Sequence, residues 1–145
     1  MAILNRRARH EYHILETYDA GMILTGPEVK SIRNGQANLA EAHCIIKNDR
    51  LLLIGCHISP YKPAALNNAD PTRSRQLLLH KKELQKLIGK LKEKGLTLVP
   101  LKLYFNERSF AKLEIGLCRG KKMHDKRADV KERDIKRDLQ RQYKV

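Results

Sequence analysis

The stretch that decides the fold lies late in the chain, where residues 96–118 read LTLVPLKLYF (96–105), NERS (106–109) and FAKLEIGLC (110–118). Large apolar side chains recur at every second position on both sides of the polar centre, with one break at Pro100. Alternation with period two is typical of a strand that buries one face, and the central residues favour a turn. The stretch therefore predicts a β-hairpin that buries Leu113, Ile115 and Leu117.

Shorter apolar runs before this hairpin predict further strands. Residues 10–24 predict a hairpin of two short strands that turns at residues 19–21, and residues 37–47 and 51–59 predict a second hairpin around residues 48–50. One more strand is expected at residues 76–79, after a loop rich in Pro and Asn. Six or seven short strands, with helices between them, favour a small β-barrel that is closed or partly open.

Two short helices are predicted between the strands. Thr25 and Glu28 have capping-box spacing, and Pro27 suits the first turn of a helix. Gly35 suits the end of this helix, where a residue often adopts left-handed backbone angles. A second, amphipathic helix ends at Gly95 and has a face of lysines. Its apolar stripe has the spacing i, i+3, i+4, i+7 and consists of Leu84, Leu87, Ile88 and Leu91.

The charge of the chain points to a polyanionic partner. Its 145 residues include 30 Lys and Arg against 16 Asp and Glu, which gives a formal net charge of +14. The longest aliphatic run, residues 51–54, is far shorter than the roughly 20 residues of a membrane span, and no apolar signal segment opens the chain. Three cysteines suit buried free thiols in a reducing compartment. We therefore expect a cytoplasmic protein with no membrane partner.

The last 27 residues differ from the rest. Residues 119–145 hold 11 basic and 5 acidic side chains, and so supply +6 of the net charge. Their thin apolar stripe cannot offset the entropy of ordering the segment alone. We predict a domain at residues 1–118 and a basic tail at residues 119–145, disordered in isolation and helical once a polyanion or a groove binds it.

Motifs for metal binding and catalysis are weak. His–Cys pairs at residues 43–44 and 56–57 resemble a zinc set, but adjacent strand residues point to opposite faces. A turn at residues 48–50 would also place the first pair opposite residues near 53–55. The Gly-Lys pair at residues 120–121 lacks the other features of a phosphate-binding loop, since Ile115 and Lys122 occupy the required Gly and Ser or Thr positions. We expect no metal, no cofactor and no catalytic site.

Cations and flat rings interleave near the start of the chain, at residues 6–13. This mixture suits phosphate contacts combined with stacking on unpaired bases, although a solvated charged face is the alternative reading. Further cations flank the Pro-rich loop, project from the last hairpin and follow it. We predict that these side chains converge on one surface, and they are Arg73, Arg75, Lys112, Arg119, Lys121 and Lys122.

Four blocks of sequence closely resemble the SsrA-binding protein family, also called small protein B. They read NRRARHEY (5–12), GPEVKSIR (26–33), DPTRSRQLLLH (70–80) and GKKMHDKR (120–127). The resemblance implies an oligonucleotide-binding (OB-like) β-barrel with short helices and an unstructured basic tail. It also implies a non-enzymatic role in trans-translation, or ribosome rescue. The family binds the tRNA-like domain of transfer-messenger RNA (tmRNA) and delivers it to stalled bacterial ribosomes, where the tail occupies the empty mRNA path in place of an anticodon arm.

The resemblance and the charged segments together give a candidate set of contacts. In it, Asp19 would accept hydrogen bonds from base or ribose donors, and Gly120 would allow close approach of the backbone. Pro27 stands where relatives often carry a large aromatic residue. The expected RNA-binding residues are His10, Tyr12, Asp19, Arg33, Arg73, Arg75, Leu78, His80, Lys112, Arg119, Gly120 and Lys121. The expected ribosome-engaging tail residues are Lys122, His124, Asp125, Lys126, Arg127, Lys131, Arg133, Lys136 and Arg137.

The expected partners follow from the same resemblance. They are tmRNA, the decoding centre and mRNA path of the small ribosomal subunit, and elongation factor Tu indirectly through the RNA, with the protein as a monomer. A general single-strand RNA-binding protein or a ribosomal protein would fit the charge and the barrel equally well. An enzyme of RNA metabolism is a third class that an assay with labelled RNA and magnesium would reveal.

Overall fold

The computed structural model describes residues 2–120, and within residues 65–67 it describes the backbone only. The chain begins with β1 (Ala2–Leu4), α1 (Arg6–Glu11), β2 (Tyr12–Met22) and α2 (Gly26–Arg33). Four short strands follow, β3 (Ala37–Asn38), β4 (His43–Lys47), β5 (Arg50–Ile54) and β6 (His57–Ile58), and then a 3-10 helix at Lys62–Asn67. The described part ends with β7 (Arg75–Leu78), α3 (Lys81–Lys90), β8 (Leu96–Phe105) and β9 (Ala111–Gly120).

The strands form a closed antiparallel barrel, as the sequence predicts. The strand order is β1-β8-β4-β5-β7-β2-β9, and β9 pairs again with β8 to close the sheet. Along one edge of β8, β1 pairs near residue 103 and β4 pairs at Leu98, while β9 takes the other edge. The small strands β3 and β6 form a separate two-stranded sheet.

The interior of the barrel confirms the predicted hairpin of β8 and β9. Leu113, Ile115 and Leu117 are each at most 2% exposed. The strand β8 continues through Pro100, because a shift of register between Pro100 and Lys102 absorbs the missing N–H donor. Beyond this bulge a second apolar cluster lies around α1, and its buried residues are Ala8, Val99, Leu101 and Cys118.

Two strand predictions are wrong in detail. Residues 12–22 form one continuous strand, because β9 is nearly as long and pairs with it from Tyr12 to Gly21. This pairing overrides the local turn signal at residues 19–21. The second predicted hairpin, of residues 37–47 and 51–59, is likewise divided, since residues 37–38 pair with residues 57–58 and only residues 43–47 pair with residues 50–54. The predicted turn is confirmed, and it places Asn48 and Asp49 at φ 52° and 59°.

Both predicted helices are present. At the start of α2 the capping box is complete, because the Thr25 hydroxyl accepts from the Glu28 N–H at 3.4 Å and the Glu28 carboxylate accepts from the Thr25 N–H at 2.9 Å. The helix α3 ends at Lys90, five residues before Gly95, and buries Leu87 completely. Sequence reasoning missed β1, α1 and the 3-10 helix.

The cysteines and the chain boundaries complete the description. Cys44, Cys56 and Cys118 are buried and free, and burial raises the pKa of Cys56 and of Cys118 to about 11. Cys44 lies opposite Leu53, as the sequence predicts. No group of His, Cys, Asp and Glu within residues 2–120 could hold a metal ion. The last strand reaches Gly120, so two residues assigned to the tail lie in the sheet.

None of the helices described is both long enough and apolar enough to cross a membrane.

Candidate nucleic-acid interface

One row of outward-facing residues crosses three neighbouring strands of the barrel. Gly21 of β2 lies opposite Leu78 of β7 on one side and opposite Lys112 of β9 on the other. Because cross-strand partners share a face of the sheet, these positions all face away from the core. Asp19 lies two residues before Gly21, and therefore on the same face.

A surface cavity of about 380 Å³ opens over this row, and we call it the Lys112 cavity. It unites four predicted RNA-binding residues, Asp19, Leu78, His80 and Lys112, that come from three separate segments of the chain. Its position at the junction of β2, β7, β9 and the start of α3 explains why no single motif marks it. Its lining residues are Asp19, Gly21, Met22, Leu78, Leu79, His80, Phe110, Ala111 and Lys112.

Two large apolar side chains of the Lys112 cavity face solvent. Leu78 is 52% exposed and Phe110 is 61% exposed. Covering exposed apolar surface with a ligand stabilises the complex, and a phenyl ring offers a face on which a base can stack. Phe110 is a candidate contact residue that sequence reasoning missed. The signal was present, because Phe110 alternates in phase with Lys112 and Glu114 and not with the buried Leu113.

The acidic residue of the cavity is held by a tyrosine. The Tyr104 hydroxyl donates to Asp19 Oδ1 at 3.1 Å. Partial burial and this hydrogen bond to Asp19 raise the pKa of Tyr104 above its ordinary value. A carboxylate offers about four lone-pair positions, so Asp19 retains capacity to accept further hydrogen bonds from base or ribose donors.

Arg33 lies near the same end of the barrel. Its guanidinium stands 5.3 Å from the centroid of the Phe105 ring, and Phe105 pairs across the hairpin with Ala111 of the cavity wall. A guanidinium on an aromatic face is oriented by the ring and still presents its donors outward. The predicted residues at this end of the barrel are thus Asp19, Arg33, Leu78, His80 and Lys112.

A second group of predicted residues lies at the opposite end of the β2–β9 pair. Tyr12 lies opposite Gly120, and Arg119 lies opposite His13, while His10 is in the last turn of α1. A Cβ atom on Gly120 would meet no atom within 4 Å, so packing inside the described part does not require glycine there. Nine residues of strand separate Tyr12 from Gly21, which corresponds to about 30 Å. The predicted set therefore forms two groups, not one.

The structure corrects the prediction that Arg75 binds RNA, because the Arg75 side chain is 0% exposed and has no surface to offer to RNA. Its Nε and Nη2 donate to Glu28 Oε2 at 2.8 and 2.6 Å, and its Nη1 donates to the Cys56 carbonyl at 2.5 Å. The prediction that Arg75 binds RNA treated every cation as solvated. Burial of the ion pair shows that Arg75 is a structural residue.

Arg73 shares the same acceptor. Its Nη2 donates to Glu28 Oε1 at 2.5 Å, and its side chain is 31% exposed. Burial alone would raise the pKa of Glu28, but the hydrogen bonds from Arg73, the Thr25 N–H and Arg75 outweigh it, so the pKa is lowered. The carboxylate joins the start of α2 to the segment that leads into β7, and so fixes the strand that carries Leu78.

The remaining predicted residues lie outside the described part of the chain. They are Lys121 of the RNA-binding set and the whole tail set from Lys122 to Arg137.

Comparison with known proteins assigns the chain to a family. A model of the SmpB protein family matches residues 2–145. The chain belongs to the SmpB family. It is 53% identical to the SsrA-binding protein of Moorella thermoacetica over 94% of this chain and 88% of the relative. It is 55% identical to the SsrA-binding protein of Gloeothece citriformis over 97% of this chain and 90% of the relative.

A solved structure supports the same assignment to the SmpB family. It is described as "tmRNA-SmpB: a journey to the center of the bacterial ribosome". The matching chain is 52% identical and superimposes with a TM-score of 0.71, over 84% of this chain and 85% of that chain. The barrel and its hairpin are therefore the fold of the family.

Proposed function

We propose that this chain binds the tRNA-like domain of tmRNA and delivers it to bacterial ribosomes stalled without a stop codon. Curated relatives of more than half identical sequence carry the name SsrA-binding protein. The description of the similar solved structure names tmRNA, SmpB and the bacterial ribosome together. This role requires the protein to recognise a folded RNA, and it does not require the protein to catalyse a reaction.

One observation carries the proposal at the level of this chain. Four predicted RNA contacts from three separate segments, Asp19, Leu78 with His80, and Lys112, meet at the Lys112 cavity, and Phe110 adds a further exposed apolar side chain beside them. Lys112 supplies a cation for a phosphate, Phe110 and Leu78 cover an unpaired base, and Asp19 accepts from base or ribose donors. This combination fits bases that are unpaired within a structured RNA better than it fits a uniform duplex.

The other parts of the role rest on the family resemblance. We infer that the basic tail engages the small subunit along the mRNA path and that elongation factor Tu joins indirectly through the RNA. A monomer in the cytoplasm suffices for this role, and the transfer of the peptide belongs to the ribosome. We infer that Tyr12 and Gly120, which face each other at the other end of the β2–β9 pair, extend the RNA-facing side.

The test replaces Phe110 by Ala and measures binding to the isolated tRNA-like domain of tmRNA. Loss of one stacked base is expected to weaken binding about tenfold, within the usual range for such substitutions. Stability should not change, because Phe110 is 61% exposed. Leu4→Ala is the matched control, since Leu4 is 55% exposed on β1 and lies outside the cavity, and it should bind like the native chain.

The same assay separates this function from general RNA binding. Competition with bulk tRNA and with unstructured single-stranded RNA should leave most of the complex with the tRNA-like domain intact at about a hundredfold excess of competitor, because dedicated binders prefer their own site by a factor of ~10³ or more. Equal competition by all three RNAs would contradict the proposal and favour a general single-strand binder.

A further inference from the structure

The β4–β5 hairpin carries a pair of cations that the candidate interface does not include. Lys47 ends β4 and Arg50 begins β5, and the two residues lie directly opposite each other. Both side chains are exposed. The turn between them is tight, because Asn48 and Asp49 both adopt left-handed backbone angles, so the two cations are held side by side at the tip.

This pairing is unfavourable in the free protein. Like charges directly opposite each other on neighbouring strands destabilise a hairpin. Within residues 2–120 neither Lys47 nor Arg50 has an acidic side chain as hydrogen-bond or ion-pair partner, and Asp49 in the turn is the nearest carboxylate along the chain. A polyanion placed over the tip would turn this repulsion into attraction.

The register of the sheet connects the hairpin to the Lys112 cavity. Leu51 of β5 pairs with Leu77 of β7 as the last pair of this ladder, and the same antiparallel register continued by one residue places Arg50 next to Leu78. Leu78 in turn lies opposite Gly21, and Gly21 opposite Lys112. Arg50 is therefore one strand spacing, about 5 Å, from a residue that lines the Lys112 cavity, and Lys47 is one spacing beyond it.

A second cavity lies on the outer face of this hairpin, and we call it the hairpin cavity. Its volume is about 440 Å³, and four of its five lining residues have polar side chains. It offers two cations and two side-chain amides, which donate to phosphate oxygens, beside a single apolar side chain. Its lining residues are Lys47, Asn48, Arg50, Leu52 and Gln76.

We propose that the β4–β5 hairpin binds the phosphate backbone of the RNA whose bases occupy the Lys112 cavity. The inference rests on the proposed function, since it extends the same RNA along the outer row of the sheet. Lys112, Gly21, Leu78, Arg50 and Lys47 then form one continuous track across five neighbouring strands, from β9 through β2, β7 and β5 to β4. Bases contact the Lys112 end of this track, and phosphates contact the hairpin end.

The test measures how the affinity for the tRNA-like domain of tmRNA depends on salt. Each phosphate contact contributes about 0.7 to 0.9 to the slope of log affinity against log salt. Lys47→Gln combined with Arg50→Gln should therefore lower the slope by about 1.4 to 1.8. Between 50 and 200 mM salt, the native chain should lose about tenfold more affinity than this variant.

Three further variants make the result specific. Lys92→Gln combined with Lys94→Gln removes the same charge from exposed residues outside both cavities and should keep the native slope. Arg50→Lys keeps the cation and should retain most of the slope. Asp49→Asn keeps a residue that tolerates the turn and removes the carboxylate, so it should tighten binding about twofold, an effect that misfolding could not imitate.

The outcomes separate the two proposals. If the native chain shows no preference for the tRNA-like domain, the proposed function fails, and the inference fails with it. If the native chain prefers that RNA but the Lys47 and Arg50 variant keeps the native slope, only the inference is overturned. An equal change in the Lys92 and Lys94 variant would assign the effect to overall charge and would likewise overturn the hairpin site.

Discussion

Replacing Glu28 by Gln should destabilise the barrel strongly, because it removes the buried carboxylate that pairs directly with Arg73 and Arg75. Glu28 is 5% exposed, and it accepts from Arg75 at 2.6 and 2.8 Å and from Arg73 at 2.5 Å. Gln still completes the capping box with the Thr25 N–H, so the substitution isolates the charge from the helix cap. Arg75 is then left as a buried cation without a counter-ion.

The magnitude follows from this burial. Breaking a buried ion pair by removing one partner typically costs about 3–5 kcal/mol, since water cannot reach the remaining charge. Arg75 is 0% exposed, which places the expected loss in that range. For a domain of this size, about 4 °C of melting temperature corresponds to 1 kcal/mol, so the melting temperature should fall by roughly 12–20 °C.

Urea denaturation followed by circular dichroism, together with calorimetry, measures this loss. Glu41→Gln is the matched control, because it makes the same chemical change in an ion pair with Arg7 where the Glu41 side chain is 83% exposed. The control should unfold like the native chain. A loss below about 1 kcal/mol for Glu28→Gln would refute the reasoning that Arg75 depends on this carboxylate.

Two further predictions concern pH and the tail. The pKa of Glu28 is lower in the folded chain than in the unfolded chain. The contribution of Glu28 to stability is therefore complete above the unfolded pKa of about 4.3 and is lost as the pH falls through the folded pKa. The midpoint of urea denaturation should decrease below about pH 4.3 in the native chain, and an unchanged midpoint there would contradict this. Ending the chain after Lys121 keeps all of β9 and every predicted RNA-binding residue, so binding to the tRNA-like domain should persist. Tagging of stalled chains in a reconstituted translation system should be lost, and persistent tagging would contradict the role of the tail.

The sequence predicts those parts of the fold whose signals are local. The alternation in residues 96–118 places Leu113, Ile115 and Leu117 in the core, and the capping residues Thr25 and Glu28 locate the start of α2. Both patterns depend on neighbours within a few residues. They hold because tertiary packing reinforces the local preference at these positions.

Predictions fail where a residue or strand that is distant in sequence determines the local structure. The continuity of β2 depends on β9, whose pairing residues lie about a hundred positions further along the chain. Arg75 is buried because Glu28, 47 positions earlier, neutralises it. The Lys112 cavity depends on the register of three strands, which a single sequence does not reveal, and so the sequence could propose Asp19 and Lys112 but not Phe110 as their neighbour.

The closure of the barrel by β9 has a consequence for synthesis of the chain. The first long strand, β2, pairs with the last one, β9, so folding must close a loop of about a hundred residues before this pairing forms. A nascent chain that stops before residue 111 lacks β9, and it leaves the facing edges of β2 and β8 unpaired. Open strand edges attract other chains, so incomplete copies of this protein would be the ones most prone to aggregation and proteolysis. The barrel thus forms only in chains that have been synthesised through to its final strand.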